Sequence, residues 1–63
     1  MYGFELTYVN TETQELKRKL IEVDPHFFDT EHEVYCYSFQ LAHDFLRELG
    51  NRYIFEKFEF IFC

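Results

Sequence analysis

The chain has 63 residues and a formal charge of −6, with 12 acidic side chains against six basic ones. This excess argues against direct binding to nucleic acid, which requires a basic surface, and against binding to an anionic membrane. The nine Phe and five Tyr are more rings than one small layer can bury. We therefore expect part of the aromatic surface to contact a partner or a second copy.

A chain of this length makes one domain, residues 1–63, with a core of marginal size. Residues 1–20 include three Glu and no apolar run, so the sequence predicts no signal peptide. No stretch approaches the ~18 apolar residues of a membrane span. We expect a cytoplasmic protein in which both thiols, Cys36 and Cys63, are free.

Residues 2–9, YGFELTYV, alternate between two faces, and this pattern predicts a half-buried strand. Its more apolar face carries Tyr2, Phe4, Leu6 and Tyr8.

Residues 15–23, ELKRKLIEV, fit either a helix or a strand. In a helix, Leu16, Leu20 and Val23 share one stripe, and Thr11 with Gln14 resembles a capping box. In a strand, Leu16 and Leu20 face away from Ile21 and Val23, so we expect a bulge near Leu20–Ile21. We favour a hairpin, because the polar residues 10–14 suit a short loop and the cations at 17–19 suit an edge strand.

A long helix is predicted for residues 31–49. Asp24-Pro25 ends the preceding element, Thr30 and Glu33 match a capping box, and Gly50 follows the last helical residue. The first turns have strand-like composition, so a start as late as Ser38 is an alternative. The expected apolar stripe consists of Val34, Leu41, Phe45 and Leu49, flanked by Tyr37, Ala42 and Leu46.

Residues 52–63, RYIFEKFEFIFC, alternate and predict a final strand that runs to the last residue, which we expect to lie inside the sheet. The predicted fold is therefore α+β: a ββαβ domain with one helix packed on a mostly antiparallel three-stranded sheet. Its expected core includes Phe45, Leu49, Phe58 and Phe60.

No metal, cofactor or catalytic site is expected. His32, Cys36 and His43 fall on a narrow arc of the helix, but His32 and His43 are roughly 16 Å apart along its axis, too far to share one metal. Ser38 is the only serine and is not flanked by glycines, and two glycines are too few for a phosphate loop. The sequence therefore predicts a protein that is not an enzyme.

The strongest functional feature is the segment of residues 22–33, EVDPHFFDTEHE, which holds five carboxylates and no Lys or Arg. Such a surface mimics a nucleic-acid backbone and fits a groove lined with Lys and Arg. The alternative is a solvated loop whose carboxylates only cap the helix and whose rings pin it to the core. The candidate partner-binding residues are Glu22, Asp24, Phe27, Phe28, Asp29, Glu31 and Glu33.

A small, acidic, aromatic-rich chain without catalytic residues resembles the accessory proteins of phages and mobile elements, and is similar in type to anti-CRISPR inhibitors. The resemblance covers the whole chain in size and charge and rests on no motif, so it assigns no residue. It implies an inhibitor that docks an acidic face onto the basic groove of a nucleic-acid-handling protein such as a CRISPR effector. The alternative is a self-associating structural or regulatory module, such as a homodimer, that uses aromatic surface or sheet edges. The basic run at 17–19 confines any mimicry to one face.

Overall fold

A computed structural model describes residues 1–62. Its three strands form one antiparallel sheet in the order β2-β1-β3, and one long helix packs on one face of that sheet. The predicted α+β fold and its ββαβ order are confirmed. Cys63, expected as a free thiol at the end of the last strand, lies outside the described residues. The elements are β1 (Tyr2–Asn10), β2 (Leu16–Val23), a 3-10 turn (Pro25–Phe27), α1 (Glu31–Leu49) and β3 (Tyr53–Phe62).

The hairpin of β1 and β2 is regular. Its register runs without a shift from Tyr2 opposite Val23 to Val9 opposite Leu16, so the hairpin is confirmed and the expected bulge near Leu20–Ile21 is wrong. Leu16 and Leu20 lie instead on the outer face, the sheet surface opposite the helix, where they are 57% and 47% exposed. A sheet covered by a single helix has one open face, which accepts these side chains without a change of register.

The helix begins where its capping box predicts. Thr30 Oγ1 accepts a hydrogen bond from the Glu33 backbone N–H at 3.2 Å, and Glu33 Oε2 accepts one from the Asp29 N–H at 3.2 Å. These bonds satisfy amides at the helix start, so α1 begins at Glu31 rather than at Ser38. It ends before Gly50, which adopts a φ of +93°. Within residues 1–62, no helix is long and apolar enough to cross a membrane.

The buried face of α1 is rotated from the predicted stripe. The buried residues follow an i, i+4 spacing: Val34, Ser38, Ala42 and Leu46. Ser38 and Ala42 are fully buried, and their small side chains let the helix approach the sheet closely. Ser38 Oγ donates to the Val34 carbonyl at 2.8 Å, so the buried hydroxyl is satisfied. Phe45 is half-buried and packs against the core, whereas Leu49 is 37% exposed, so the prediction of Leu49 as a core residue is wrong.

Strand β3 lies at an edge of the sheet, not inside it, because β1 takes the central position. Two register shifts against β1, between Gly3 and Phe4 and between Thr7 and Tyr8, mark β-bulges in β3. The buried residues of the sheet all belong to β1 and β2. On β3, Phe58 is half-buried and packs against the core, and Phe60 is 52% exposed, so the prediction of Phe60 as a core residue is wrong. The core consists of Phe4, Leu6, Tyr8, Ile21, Val23, Val34, Ala42 and Leu46.

Candidate binding surface in the acidic segment

The acidic segment, residues 22–33, runs from the end of β2 through the 3-10 turn into the first turn of α1. Four of its five acidic residues are exposed and Asp24 is half-buried. The loop side chains are therefore held between two regular elements rather than on a free end, and their carboxylates face solvent.

Asp24 organises the turn. Its Oδ1 accepts a hydrogen bond from the His26 backbone N–H at 2.9 Å and lies 2.8 Å from His26 Nδ1. The backbone bond first, and then the contact with the His26 ring, lower the pKa of Asp24 below its ordinary value. Asp24 therefore remains ionised in the folded protein to a lower pH than a free aspartate.

Two further carboxylates have partners within the protein. Glu33 accepts from the Asp29 N–H, as described above, and Glu31 Oε1 accepts from the Tyr2 hydroxyl at 3.4 Å. Within residues 1–62, no hydrogen bond or ion pair engages the side chains of Glu22 and Asp29. These two carboxylates are therefore the ones available to an external partner without loss of an internal contact.

The two adjacent phenylalanines have different roles. Phe28 is half-buried, and its ring lies 5.2 Å from that of Tyr37, so it attaches the loop to α1. Phe27 is 82% exposed, more than any other large hydrophobic side chain among the described residues. Such a ring on a loop between two fixed elements has the position of a binding anchor.

A cleft of about 400 Å³ lies beside Phe27 and brings together part of the predicted set. Glu31 is separate from this group and lines a second cleft, of about 380 Å³, with Tyr2 and Phe60. Asp29 and Glu33 line neither cleft. The first cleft is lined by Glu22, Val23, Asp24, Phe27, Phe28, Tyr37 and Leu41.

The basic side chains pair with carboxylates elsewhere. The Lys and Arg ion pairs of residues 1–62 join Arg18 to Glu5, Arg47 to Asp44, Arg52 to Glu12 and Lys57 to Glu59. In the same described part of the chain, none of these pairs reaches the acidic segment. Its only contact with a basic side chain there is that of the His26 ring with Asp24. The segment therefore keeps its negative charge uncompensated by Lys or Arg.

The histidines and Cys36 do not form a wider cluster. His32 Nε2 lies 3.5 Å from Cys36 Sγ, and Cys36 is exposed, as its position on the polar arc predicts. His43 instead packs on the rings of Phe39 and Phe55, with centroids 4.6 and 5.8 Å away. Across residues 1–62, no three His, Cys, Asp or Glu side chains converge as metal ligands would.

Sequence reasoning missed a second surface, the aromatic band, in which rings of α1 lie against rings of β3. The ring of Phe39 contacts those of Tyr35, Phe55 and Phe58 at centroid distances of 6.0, 5.7 and 5.4 Å. The i, i+4, i+8 spacing of its helical members indicates one helix face, but the stripe that contains the leucines and Phe45 is more hydrophobic and was therefore predicted to contact the sheet. The band consists of Tyr35, Phe39, His43, Phe55 and Phe58, which are joined by ring contacts, and of Phe60, which lines a cleft with Tyr35.

Comparison with protein-family models, with curated proteins and with solved structures finds no match for this chain.

Proposed function

We propose that the chain is a non-catalytic interaction protein whose acidic segment binds a basic groove of a nucleic-acid-handling protein and so excludes nucleic acid from it. The uncompensated charge of the segment carries the proposal: each described Lys or Arg that forms an ion pair does so with a carboxylate outside residues 22–33. CRISPR effectors, which hold a duplex in a positively charged channel, belong to the class of partner proposed.

The side chains of the acidic segment have different roles in this binding. Glu22 and Asp29, whose side chains form no internal bond among the described residues, meet Lys or Arg of the partner at positions that phosphates would otherwise occupy. Asp24 is held ionised by His26. Phe27 inserts as the apolar anchor, and the adjacent cleft receives an apolar side chain of the partner.

The experiment measures binding of a short, fluorescent, Arg-rich peptide that carries one Leu, by anisotropy at several salt concentrations. Glu22→Lys with Asp29→Lys reverses two carboxylates that support no internal contact. We expect a large loss of affinity at low salt and a smaller loss at high salt, because rim charges act through association and are screened. Phe27→Ala should weaken binding at every salt concentration, since its ring contributes apolar contact rather than charge.

Lys17→Glu with Lys19→Glu is the matched control, because it changes two charges of β2 outside the acidic segment. This variant should bind the peptide as well as the wild type or better. Equal binding by the wild type and the folded Glu22→Lys, Asp29→Lys variant would show that the segment is a solvated loop.

A further inference from the structure

The two edges of the sheet differ in how they are protected from pairing. The β2 edge carries Lys17, Arg18 and Lys19, a run of charge that discourages strand pairing. The β3 edge is ten residues long, and between its two bulges it carries charges of both signs, Lys57 and Glu59. No strand among residues 1–62 pairs with its outer side. Beside it lies the aromatic band, in which Tyr35, Phe55 and Phe60 are exposed. An unpaired edge next to exposed rings is an association surface.

We propose that the β3 edge and the aromatic band form a homodimer interface, in which the two β3 strands pair antiparallel about a two-fold axis at Phe58. This interface meets the acidic segment at Glu31 and His32, which line one cleft with Tyr35 and Phe60. It includes none of Glu22, Asp24, Phe27 and Asp29, so the two proposals are tested with different residues. We infer that a second copy of the chain covers this edge, because in one register the charged side chains of one β3 lie opposite side chains of opposite charge on the other β3.

The register follows from the regular part of the edge. The two bulges leave residues 57–60 regular, with Lys57 and Glu59 on the outer face and Phe58 and Phe60 on the helix face. Directly opposed residues of an antiparallel pair share a face. A two-fold axis at Phe58 therefore places Lys57 opposite Glu59 of the second copy, twice, and Phe58 opposite Phe58. An axis at Glu59 would oppose two glutamates, which is unfavourable.

The exposed apolar area suits a concentration-dependent dimer. Together, the exposed parts of Tyr35, Phe55 and Phe60 amount to more than the surface of one whole aromatic side chain. At about 200 Å² per side chain, this is an exposed area of roughly 260 Å². That is about a third of the ~800 Å² that each partner buries in a standard interface. The backbone edge of β3, with the half-exposed Ile54 and Ile61, adds to this area.

The helices fit within this arrangement. The helix packs on all three strands, so its axis lies over the middle of the sheet. The two β1 strands of the dimer are three strand spacings apart, roughly 14 Å, whereas helices in direct contact are about 8–10 Å apart. The two copies of α1 therefore do not collide. The groove between them is filled by Tyr35, Phe39 and His43, which lie on the side of α1 that contacts β3.

Pairing through β2 is less favourable. A β2–β2 pair about Arg18 would oppose Lys17 and Lys19, which carry like charges. A β2–β3 pair would join different surfaces of the two copies and continue into an open chain of molecules rather than close.

The test is sedimentation of the whole chain over a wide range of concentrations, with charge reversal at β3. The wild type should double its mass as concentration rises. In the proposed register, Lys57→Glu places a glutamate at 57 opposite Glu59 of the other copy, and Glu59→Lys places a lysine at 59 opposite Lys57. Each variant alone should therefore dimerise at least about tenfold more weakly. A mixture of the two variants restores both opposite-charge pairs and should form heterodimers. Neither variant regains its own Lys57–Glu59 ion pair, so restored mass reports a contact between copies.

Glu15→Lys with Lys17→Glu is the control, because it exchanges two charges near the β2 edge and keeps the net charge at −6. It should leave the dimer intact, whereas a mass that depends on it would indicate β2–β3 pairing and overturn the proposal. A wild type that stays monomeric, or a mixture that gains no mass over its components, would also overturn it.

Discussion

Replacement of Leu6 by Ala tests the core where the sheet and the helix meet. Leu6 lies in the central strand, is fully buried, and is one of the two largest fully buried side chains. Removal of its branched end should cost about 3 kcal/mol, since the helix and the two flanking strands limit collapse around the cavity. The total free energy of unfolding for a domain of this size is only about 3–9 kcal/mol. A single substitution should therefore remove a large part of it.

Urea denaturation followed by far-UV circular dichroism measures this loss. With an m-value of about 1 kcal/mol/M, a loss of about 3 kcal/mol moves the midpoint by about 3 M. Leu49→Ala is the matched control, because the same atoms are removed from a side chain that is 37% exposed, and it should cost about 1 kcal/mol. Leu6→Met keeps the volume and should cost less than about 1.5 kcal/mol, which leaves a measurable transition if Leu6→Ala does not fold. Equal losses at Leu6 and Leu49 would refute the assigned core.

Three other predictions concern local contacts. Gly3→Ala would drive its Cβ into the ring of Phe62, so we expect a loss of about 1 kcal/mol that disappears when Phe62→Ala is added; additive effects in a double-mutant cycle would contradict this contact. Thr30→Ala removes the helix cap and should lower stability by about 1 kcal/mol in urea denaturation, and no change would show that the cap bond does not contribute. The carboxyl of Asp24 should titrate by NMR below its ordinary 3.8, and the turn it holds should be stable above that pH and loosen as pH falls through the folded-state pKa. A midpoint at or above 3.8 would show that the bonds from His26 do not persist in solution.

Local signals predicted the order of the elements. Alternation predicted β1 and β3, and the capping box at Thr30 and Glu33 predicted the start of α1, because each depends on residues near one another in the chain. The hairpin could also be chosen over a helix for residues 15–23 on its loop and its cations. Nothing local showed that one sheet face stays uncovered, and so Leu16 and Leu20 suggested a bulge that does not exist.

Tertiary packing determined what the sequence did not predict. The most hydrophobic stripe of the helix included Phe45 and Leu49, yet the face of Ser38 and Ala42 is buried, because small side chains allow close approach. The position of β3 at an edge follows from the pairing of β1 with both other strands, which no pattern within β3 indicates. The acidic segment was recognisable from composition alone. The sequence did not show which of its carboxylates accept internal hydrogen bonds, because these bonds depend on where Tyr2 and His26 lie in the fold.

The central position of β1 also affects the folding rate. The hairpin with β2 closes through a short loop, but β3 must return to β1 from the far side of the helix, where Phe4 pairs with Phe60. Closure of such a long loop is entropically costly and slows folding compared with local pairing. Until β3 docks, the second edge of β1 is unpaired, and the side chains of Phe4, Leu6 and Tyr8 are not covered on that side. A chain in which β3 is undocked exposes these side chains beside an open strand edge. Substitutions that delay docking of β3 should therefore lower the yield of folded protein more than its final stability.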